Sequence, residues 1–171
     1  LAMLREVMVK RESHKDITIA TALATSFGCS IEGAVSDARV NEIVESVVEA
    51  GVDEINLADT VGYGDPEQVK RIFTNVQRIV GDLPIAAHFH DTRGLGLANV
   101  VAALDSGVRR FDSALGGLGG CPFAPGASGN ITTEDTVYLF ERLGFTTGID
   151  LVSLLEVRRQ LTQWLPNEKL E

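Results

Sequence analysis

The feature of this sequence that most constrains its fold is an alternation of strand-like and helical segments, which occurs four times. Each short segment rich in β-branched and small apolar residues is followed by a longer segment with apolar residues at helical spacing. Such an alternation predicts right-handed βαβ units that build a parallel sheet. The strand-like segments span residues 16–27, 52–60, 84–92 and 108–117, and the helical segments span residues 36–51, 65–81, 94–107 and 132–144.

The predicted helices carry clear start signals. Ser36 is a candidate N-cap of the first of these four helices, and Asp65 is a candidate N-cap of the second, with Pro66 at the first helical position. Residues 1–12 predict a further helix before the first strand, and residues 150–165 predict a final one.

Two architectures accommodate these repeats: an open doubly wound sheet, or part of a (β/α)₈ barrel. Both bind ligands at the carboxyl ends of the strands. The polar side chains at or just past these ends are Asp59, His88, His90, Asp91 and Asp112. No G-x-G-x-x-G motif follows the first strand, so a dinucleotide-binding sheet gains no support. We therefore expect an α/β fold in which residues 1–171 supply four of the eight barrel units, as the C-terminal half of a TIM barrel.

Composition excludes several classes of protein. The 171 residues include 44% hydrophobic and 23% charged residues, which is enough apolar surface for a sizeable core. A net charge of −9 argues against a nucleic-acid surface and against docking on an anionic membrane. No apolar run approaches the roughly 20 residues that span a bilayer, and the first residues do not resemble a signal peptide. The two cysteines, Cys29 and Cys121, lack metal-type spacing, which favours free thiols in a reducing cytoplasm.

The clearest candidate site is the sequence "HFHD". Residues two apart in a strand project from the same face, so His88 and His90 can converge on one metal ion. Two packed histidines without a ligand are the alternative, although inward imidazoles at the catalytic end of a barrel strand need partners. The third histidine, His14, stands apart in a helix terminus or loop, where we expect it to be solvated.

Three further polar residues follow strand ends. Asp59 can orient a ligating histidine or contact substrate, and a capping role is equally open. Asp91 begins the loop after the third strand, where we expect it to cap the next helix. Arg93 is a candidate for binding an anionic group, and the alternative is a solvated surface side chain.

Residues 116–130, "GGLGGCPFAPGASGN", place six glycines around one cysteine. A core segment would avoid so much glycine, so this stretch predicts a loop that opens and closes over the mouth of a site. Cys121 can act there as an acid, a base or a nucleophile, and a small buried apolar residue is the alternative. Asn130 adds an oxygen ligand to the two histidines, a set that suits Mg²⁺, Mn²⁺ or Zn²⁺.

Residues 88–108 and 111–144 resemble hydroxymethylglutaryl-CoA lyase, a family within the metal-dependent TIM-barrel lyases and synthases. The resemblance extends to the segments "ATSFGCSIEG", "INLADTVGYG" and "LGFTTGIDL", and so covers nearly the whole chain. The segment "GGLGGCP" with "GASGN" is specific to the lyase, because the related isopropylmalate and homocitrate synthases share the H-x-H strand but carry a different glycine loop.

The resemblance implies a role for each matched residue. The implied ligands of a divalent cation, Mg²⁺ or Mn²⁺, are His88, His90 and Asn130. The implied catalytic residues are Cys121, Asp59 and Glu134, and the glycines form a mobile lid that carries the cysteine to the substrate. The candidates for binding an acyl-CoA substrate are Arg93, Gly119 and Gly120.

The implied reaction is the retro-Claisen cleavage of 3-hydroxy-3-methylglutaryl-CoA to acetyl-CoA and acetoacetate, a step of leucine degradation, with the cation polarising substrate oxygens. The cysteine would deliver a proton to the nascent acetyl-CoA enolate. The alternatives are a related lyase or aldolase for another acyl-CoA or a 2-oxo acid, and an inactive half-barrel.

The resemblance also implies what this chain lacks. In the family, a further aspartate ligand and a catalytic arginine lie on the first barrel strand, and neither is present here. We therefore expect little or no activity from this chain alone. Exposed strand edges favour a homo-oligomer, above all a dimer. The expected location is the bacterial cytoplasm, or the mitochondrion for a eukaryotic source.

Overall fold

The computed structural model describes residues 1–120, 129–168 and 170. Strands and helices alternate along the chain as the sequence pattern predicts. The elements are α1 (Ala2–Arg11), β1 (Ala20–Leu23), α2 (Asp37–Glu49), β2 (Glu54–Asp59), α3 (Pro66–Val80), β3 (Ile85–Phe89), α4 (Gly96–Asp105), β4 (Arg110–Asp112), α5 (Thr133–Arg142) and α6 (Leu151–Trp164).

The four strands form one parallel sheet in the order β1-β2-β3-β4. Each strand therefore pairs with its neighbour along the chain, and β1 and β4 are the edge strands of the described sheet. In register, Ala58 of β2 lies opposite His88 of β3, which in turn lies opposite Asp112 of β4. The prediction of four parallel strands alternating with helices is confirmed.

The predicted helix starts are also confirmed. The side chain of Ser36 accepts a hydrogen bond from the N–H of Arg39 at the start of α2. Asp65 accepts from two N–H groups at the start of α3, and Pro66 occupies the first helical position. These caps satisfy N–H groups that have no partner within the helix.

One face of the sheet is covered by helices and forms the core. Alternate strand residues such as Leu57 and Phe89 are fully buried there. Phe89 packs with Phe27 and Phe73 at ring-centroid distances between 5.9 and 6.3 Å. Fully burying an aromatic side chain of this size stabilises a fold by about 1.5–3 kcal/mol. The opposite face carries Asn56, His88 and Asp112.

The fourth strand is shorter than predicted. Residues 108–117 were expected to form it, but only Arg110–Asp112 join the ladder. Ala114 N–H donates instead to the carbonyl of Ile131 at 3.1 Å, and Leu115–Gly117 form a 3₁₀ turn. The chain leaves the sheet because a later segment provides its hydrogen bonds.

The ends of the described chain are loosely covered. Neither α1 nor α6 contains a buried residue. Among the described helices, none combines the length and the apolar character needed to cross a membrane.

Candidate functional site

His88, in β3, and His90, which directly follows β3, point their rings to one place. His88 Nε2 lies 3.2 Å from His90 Nε2, and the ring centroids are 5.2 Å apart. His90 is buried, whereas the side chain of His88 is 29% exposed toward the uncovered face. Two nitrogen ligands that each lie about 2.1 Å from one ion, at right angles, are about 3 Å apart. The spacing of the two Nε2 atoms therefore suits a shared cation.

A third candidate ligand reaches these histidines through a backbone connection. Residues 129–131 lie antiparallel against the end of β3, so that Asn130 is directly opposite His90. Ile131 N–H donates to the carbonyl of Phe89 at 3.1 Å, which fixes this register. Residues directly opposite on antiparallel segments place their side chains on the same face. The side chains of Asn130 and His90 therefore lie on the same face.

The amide group of Asn130 is oriented by its nitrogen. Nδ2 donates to the carbonyls of Leu118 at 2.8 Å and Gly119 at 3.2 Å. Its oxygen, Oδ1, is buried and accepts no hydrogen bond from residues 1–120 or 129–168. A buried amide oxygen without a donor is costly, and a cation would satisfy it.

The residues present thus fit a divalent cation. The donor set is two imidazole nitrogens and one amide oxygen, which suits Mg²⁺, Mn²⁺ or Zn²⁺. In the part of the chain that the structure describes, no three His, Cys, Asp or Glu side chains gather as a cation site. An ion held here would therefore depend on the oxygen of Asn130 as well as on His88 and His90.

One carboxylate beside this cluster had no role assigned from the sequence. Asp112 Oδ2 lies 3.3 Å from His88 Nδ1, and Asn56 Nδ2 donates to the same oxygen at 2.5 Å. The only sequence signal for this contact was the place of Asp112 at a strand end. The register supplies the rest, because it sets Asp112 opposite His88.

Asp59 is fully buried at the end of β2. It alternates with Ala58 and therefore faces the helix-covered side of the sheet. Its two oxygens accept from the N–H groups of Tyr63 at 2.8 Å and Gly64 at 2.9 Å. Burial raises the pKa of Asp59, while these two donors and nearby cationic groups lower it. The loop-capping alternative is therefore realised, and the catalytic role stays a prediction.

Glu134 lies in the first turn of α5 and is buried. Both of its oxygens accept from the N–H of Gly116 at 3.0 Å, and Arg158 Nε of α6 lies 3.2 Å from its Oε1. Glu134 thus joins the start of the glycine-rich segment to the final helix.

The remaining predicted residues separate into loop contacts and surface positions. Arg93 is exposed; it donates to the carbonyls of Val61 and Gly62 and lies 4.3 Å from the centre of the Tyr63 ring. Asp91 Oδ1 accepts from the first N–H of α4 at 2.6 Å, so its predicted capping role is confirmed.

Other predictions concern the glycine-rich segment and His14. Gly119 and Gly120 are exposed, the carbonyl of Gly119 accepts from Asn130 Nδ2, and His14 is exposed as predicted. Cys121 lies outside the described residues, so its predicted role and the proposed lid are not addressed by the structure. Cys29 is a free thiol.

Comparison with known sequences identifies a family. A model of the family described as HMGL-like matches residues 4–161. The (R)-citramalyl-CoA lyase of Chloroflexus aurantiacus is 48% identical over 139 residues, which is 81% of this chain and 44% of that protein. The hydroxymethylglutaryl-CoA lyase of Pseudomonas mevalonii is 41% identical over 150 residues, which is 88% of this chain and 50% of that protein. The chain thus spans about half the length of these curated relatives.

Comparison with solved structures also matches this chain to about half of a lyase. An HMG-CoA lyase from Acinetobacter baumannii, in complex with coenzyme A and 3-methylmalate, superimposes with a TM-score of 0.91 at 46% identity. The match covers 98% of this chain and 54% of that structure. The four strand–helix units described above therefore correspond to about half of a barrel.

Proposed function

We propose, given that this chain belongs to the HMGL-like family, that it carries the metal-binding half of a lyase site. The proposed reaction is the cleavage of 3-hydroxy-3-methylglutaryl-CoA to acetyl-CoA and acetoacetate. One observation carries the proposal: two imidazole nitrogens converge at 3.2 Å, and the half-buried Asn130 lies opposite one of these histidines with a buried side-chain oxygen that has no donor among the described residues. Residues 1–171 are proposed to be the C-terminal half of the catalytic domain.

A divalent cation, Mg²⁺ or Mn²⁺, held by His88, His90 and Asn130, would supply Lewis-acid polarisation of the substrate oxygens. The protein must then move two protons. A base takes the proton of the C3 hydroxyl while the C2–C3 bond of the substrate breaks. The electron pair of the broken bond forms the thioester enolate. The new carbonyl belongs to acetoacetate. An acid then protonates the enolate carbon and gives acetyl-CoA.

We assign these proton transfers to two residues. Asp59 is the proposed base, because the family resemblance matches it to a catalytic aspartate near the metal. To reach the substrate its carboxylate must exchange the N–H groups of Tyr63 and Gly64 for the substrate hydroxyl. Cys121 is the proposed acid, on the basis of its place in the glycine-rich segment that leads to Asn130. Glu134 is proposed to act by holding Gly116 and Arg158, since its oxygens contact these two groups.

The substrate-binding part of the proposal rests on the exposed rim of the site. Arg93 is an exposed residue whose Nη1 donates to the carbonyls of Val61 and Gly62; its other N–H groups suit an anionic group of an acyl-CoA. Gly119 and Gly120 present backbone without side chains next to the cation ligand Asn130, which suits close approach of a thioester. The proposal includes a homodimer, a place in leucine degradation and a cytoplasmic location.

The proposed site requires four further strand–helix units. In the described sheet, β1 and β4 have unpaired edges, and a barrel of this type closes with eight strands. A chain limited to these 171 residues is therefore expected to release little or no acetoacetate.

A second substrate has specific support. The citramalyl-CoA lyase relative is 48% identical to this chain, above the 41% of the Pseudomonas mevalonii lyase. Both acyl-CoA substrates carry a hydroxyl group β to the thioester, so the same bond cleavage applies. The ketone product would be pyruvate instead of acetoacetate.

The test measures ketone release by the protein at the full length that its host produces. Purified protein is assayed with Mn²⁺ on both acyl-CoA substrates, beside its Cys121→Ala variant and a matched Cys29→Ala control. We expect Mn²⁺-dependent acetoacetate release that is lost in Cys121→Ala and retained in Cys29→Ala. Pyruvate release alone would select the second substrate, and no release from either acyl-CoA would refute the proposed function.

A further inference from the structure

We propose that Asp112 is a positioning residue, held by Asn56, that fixes the tautomer and the ring orientation of His88 for cation binding. This inference rests on the proposed metal site and extends it to the residues behind the ligand. Nothing in the sequence motif "HFHD" indicates it, because Asp112 and Asn56 lie on different strands from His88.

A single carboxylate oxygen joins the three side chains. Oδ2 of Asp112 lies 3.3 Å from His88 Nδ1 and 2.5 Å from Asn56 Nδ2. An ionised carboxylate accepts hydrogen bonds and cannot donate them. The contact therefore requires His88 to carry its proton on Nδ1 and requires Asn56 to present its amide nitrogen.

The tautomer has a direct consequence at the other ring nitrogen. A neutral imidazole protonated on Nδ1 keeps a lone pair on Nε2. In His88, Nε2 is the atom that lies 3.2 Å from His90 Nε2. Asp112 thus holds the lone pair of His88 toward the place where the cation ligands converge. Such carboxylate–histidine pairs also raise the basicity of the ligating nitrogen.

Asn56 of β2 can reach Asp112 of β4 because the residue of β3 that lies between them is small. Ala86 of β3 lies between Asn56 of β2 and Arg110 of β4 in register. Its methyl group leaves room for Asn56 to reach diagonally across β3 to Asp112. A second pair crosses β3 two residues nearer the start of the strand, because Arg110 of β4 forms an ion pair with Glu54 of β2.

This second pair provides a matched control. Glu54 and Asp112 are both carboxylates that connect β2 with β4 across β3. The described contacts of Asp112 include His88, whereas the described contact of Glu54 is with Arg110. If both carboxylates only tie the strands together, truncating either one should have the same consequences.

The test compares Asp112→Ala with Glu54→Ala in the protein at the full length that its host produces. Mn²⁺ affinity is measured by electron paramagnetic resonance, and stability is measured by urea unfolding without metal. We expect the Mn²⁺ dissociation constant to rise by about 10- to 100-fold in Asp112→Ala and to stay unchanged in Glu54→Ala. An Asp112→Asn variant, which keeps the shape of the side chain, replaces Asp112→Ala if the latter does not fold.

A second readout needs no metal. Nitrogen-15 NMR of the metal-free protein reports which ring nitrogen of His88 is protonated. We expect the Nδ1–H form in the wild type and in Glu54→Ala, and loss of that preference in Asp112→Ala. Equal Mn²⁺ affinity in all three proteins, or an unchanged tautomer in Asp112→Ala, would overturn the assignment. A protein that binds Mn²⁺ as expected but cleaves neither acyl-CoA would refute the proposed function and leave the role of Asp112 supported.

Discussion

Replacing Gly129 with alanine is expected to disturb the segment that carries Asn130 to the histidines. A Cβ atom at Gly129 would lie 1.5 Å from the carbonyl oxygen of Gly117 and 2.7 Å from its carbonyl carbon. Carbon and oxygen atoms that are not bonded rarely approach closer than about 3.3 Å. The two backbones would therefore have to separate by about 1.8 Å. Neither neighbour is a flexible side chain that could move aside.

The cost follows from the hydrogen bonds that this separation would break. The carbonyl of Gly129 accepts from Asp91 N–H at 3.1 Å, and the carbonyl of Ile131 accepts from Ala114 N–H at 3.1 Å. Each buried backbone hydrogen bond contributes about 0.5–1.5 kcal/mol net. Loss of both bonds predicts that the free energy of unfolding falls by about 1–3 kcal/mol, and each polar group left buried without a partner lowers it by about 1–3 kcal/mol more.

The assay is urea unfolding combined with a Mn²⁺ titration. We expect Gly129→Ala to lower both stability and Mn²⁺ affinity, because Asn130 would move away from His90. Gly144→Ala is the control, since Gly144 has a φ of +87° and no atom near an added Cβ. That control should lose only the cost of left-handed backbone, about 1 kcal/mol, with unchanged Mn²⁺ affinity. A Gly129→Ala protein that matches the wild type in both measurements would refute the reasoning.

Two further predictions concern carboxylates. Glu134→Gln should lower the free energy of unfolding by about 1–3 kcal/mol, because a buried acceptor for Gly116 N–H loses its charge. The control is Glu156→Gln in an exposed ion pair, which should change the free energy of unfolding by less than about 0.5 kcal/mol. Equal urea midpoints for the two variants would contradict this prediction. Asp53 has its pKa lowered by hydrogen bonds from Ile19 N–H and Arg11. A carboxyl group of lowered pKa stabilises the fold above its unfolded pKa, about 3.9, and this stability is lost as the pH falls through the folded pKa. Urea unfolding between pH 3 and 6 should therefore show a smaller decline in Asp53→Asn than in the wild type, and parallel curves would count against it.

Much of the fold could be predicted from local signals. Ser36 and Asp65 cap helices where the sequence indicated, because an N-cap side chain bonds to N–H groups two or three residues away. The strand positions followed from short apolar segments between helical ones. The extent of β4 could not be predicted, since the hydrogen bonds of Ala114 go to Ile131, a partner that no local pattern indicates.

The contacts of the candidate site also separate into those that a local sequence pattern predicts and those that depend on pairing between distant segments. His88 lies in β3 and His90 continues directly from its end, so the two-residue repeat of extended backbone was enough to bring them together. The contact of Asn130 with this strand depends on antiparallel pairing after the glycine-rich segment, and the contact of Asp112 depends on the register of β4. Both are non-local arrangements. The lid role of the glycine-rich segment stays a prediction, and for Gly129 the structure gives a separate reason, the close approach of Gly117.

The order of the strands also has a consequence for the time course of folding. Since each strand pairs with its predecessor in the chain, the sheet can grow one strand–helix unit at a time with short loop closures. Residues 129–131 are different, because they return to β3 after β4 has been added. During synthesis from the amino end, His88 and His90 can therefore be in place well before Asn130 arrives. We expect the nascent chain to gain its full affinity for a cation only after residues 129–131 have emerged from the ribosome.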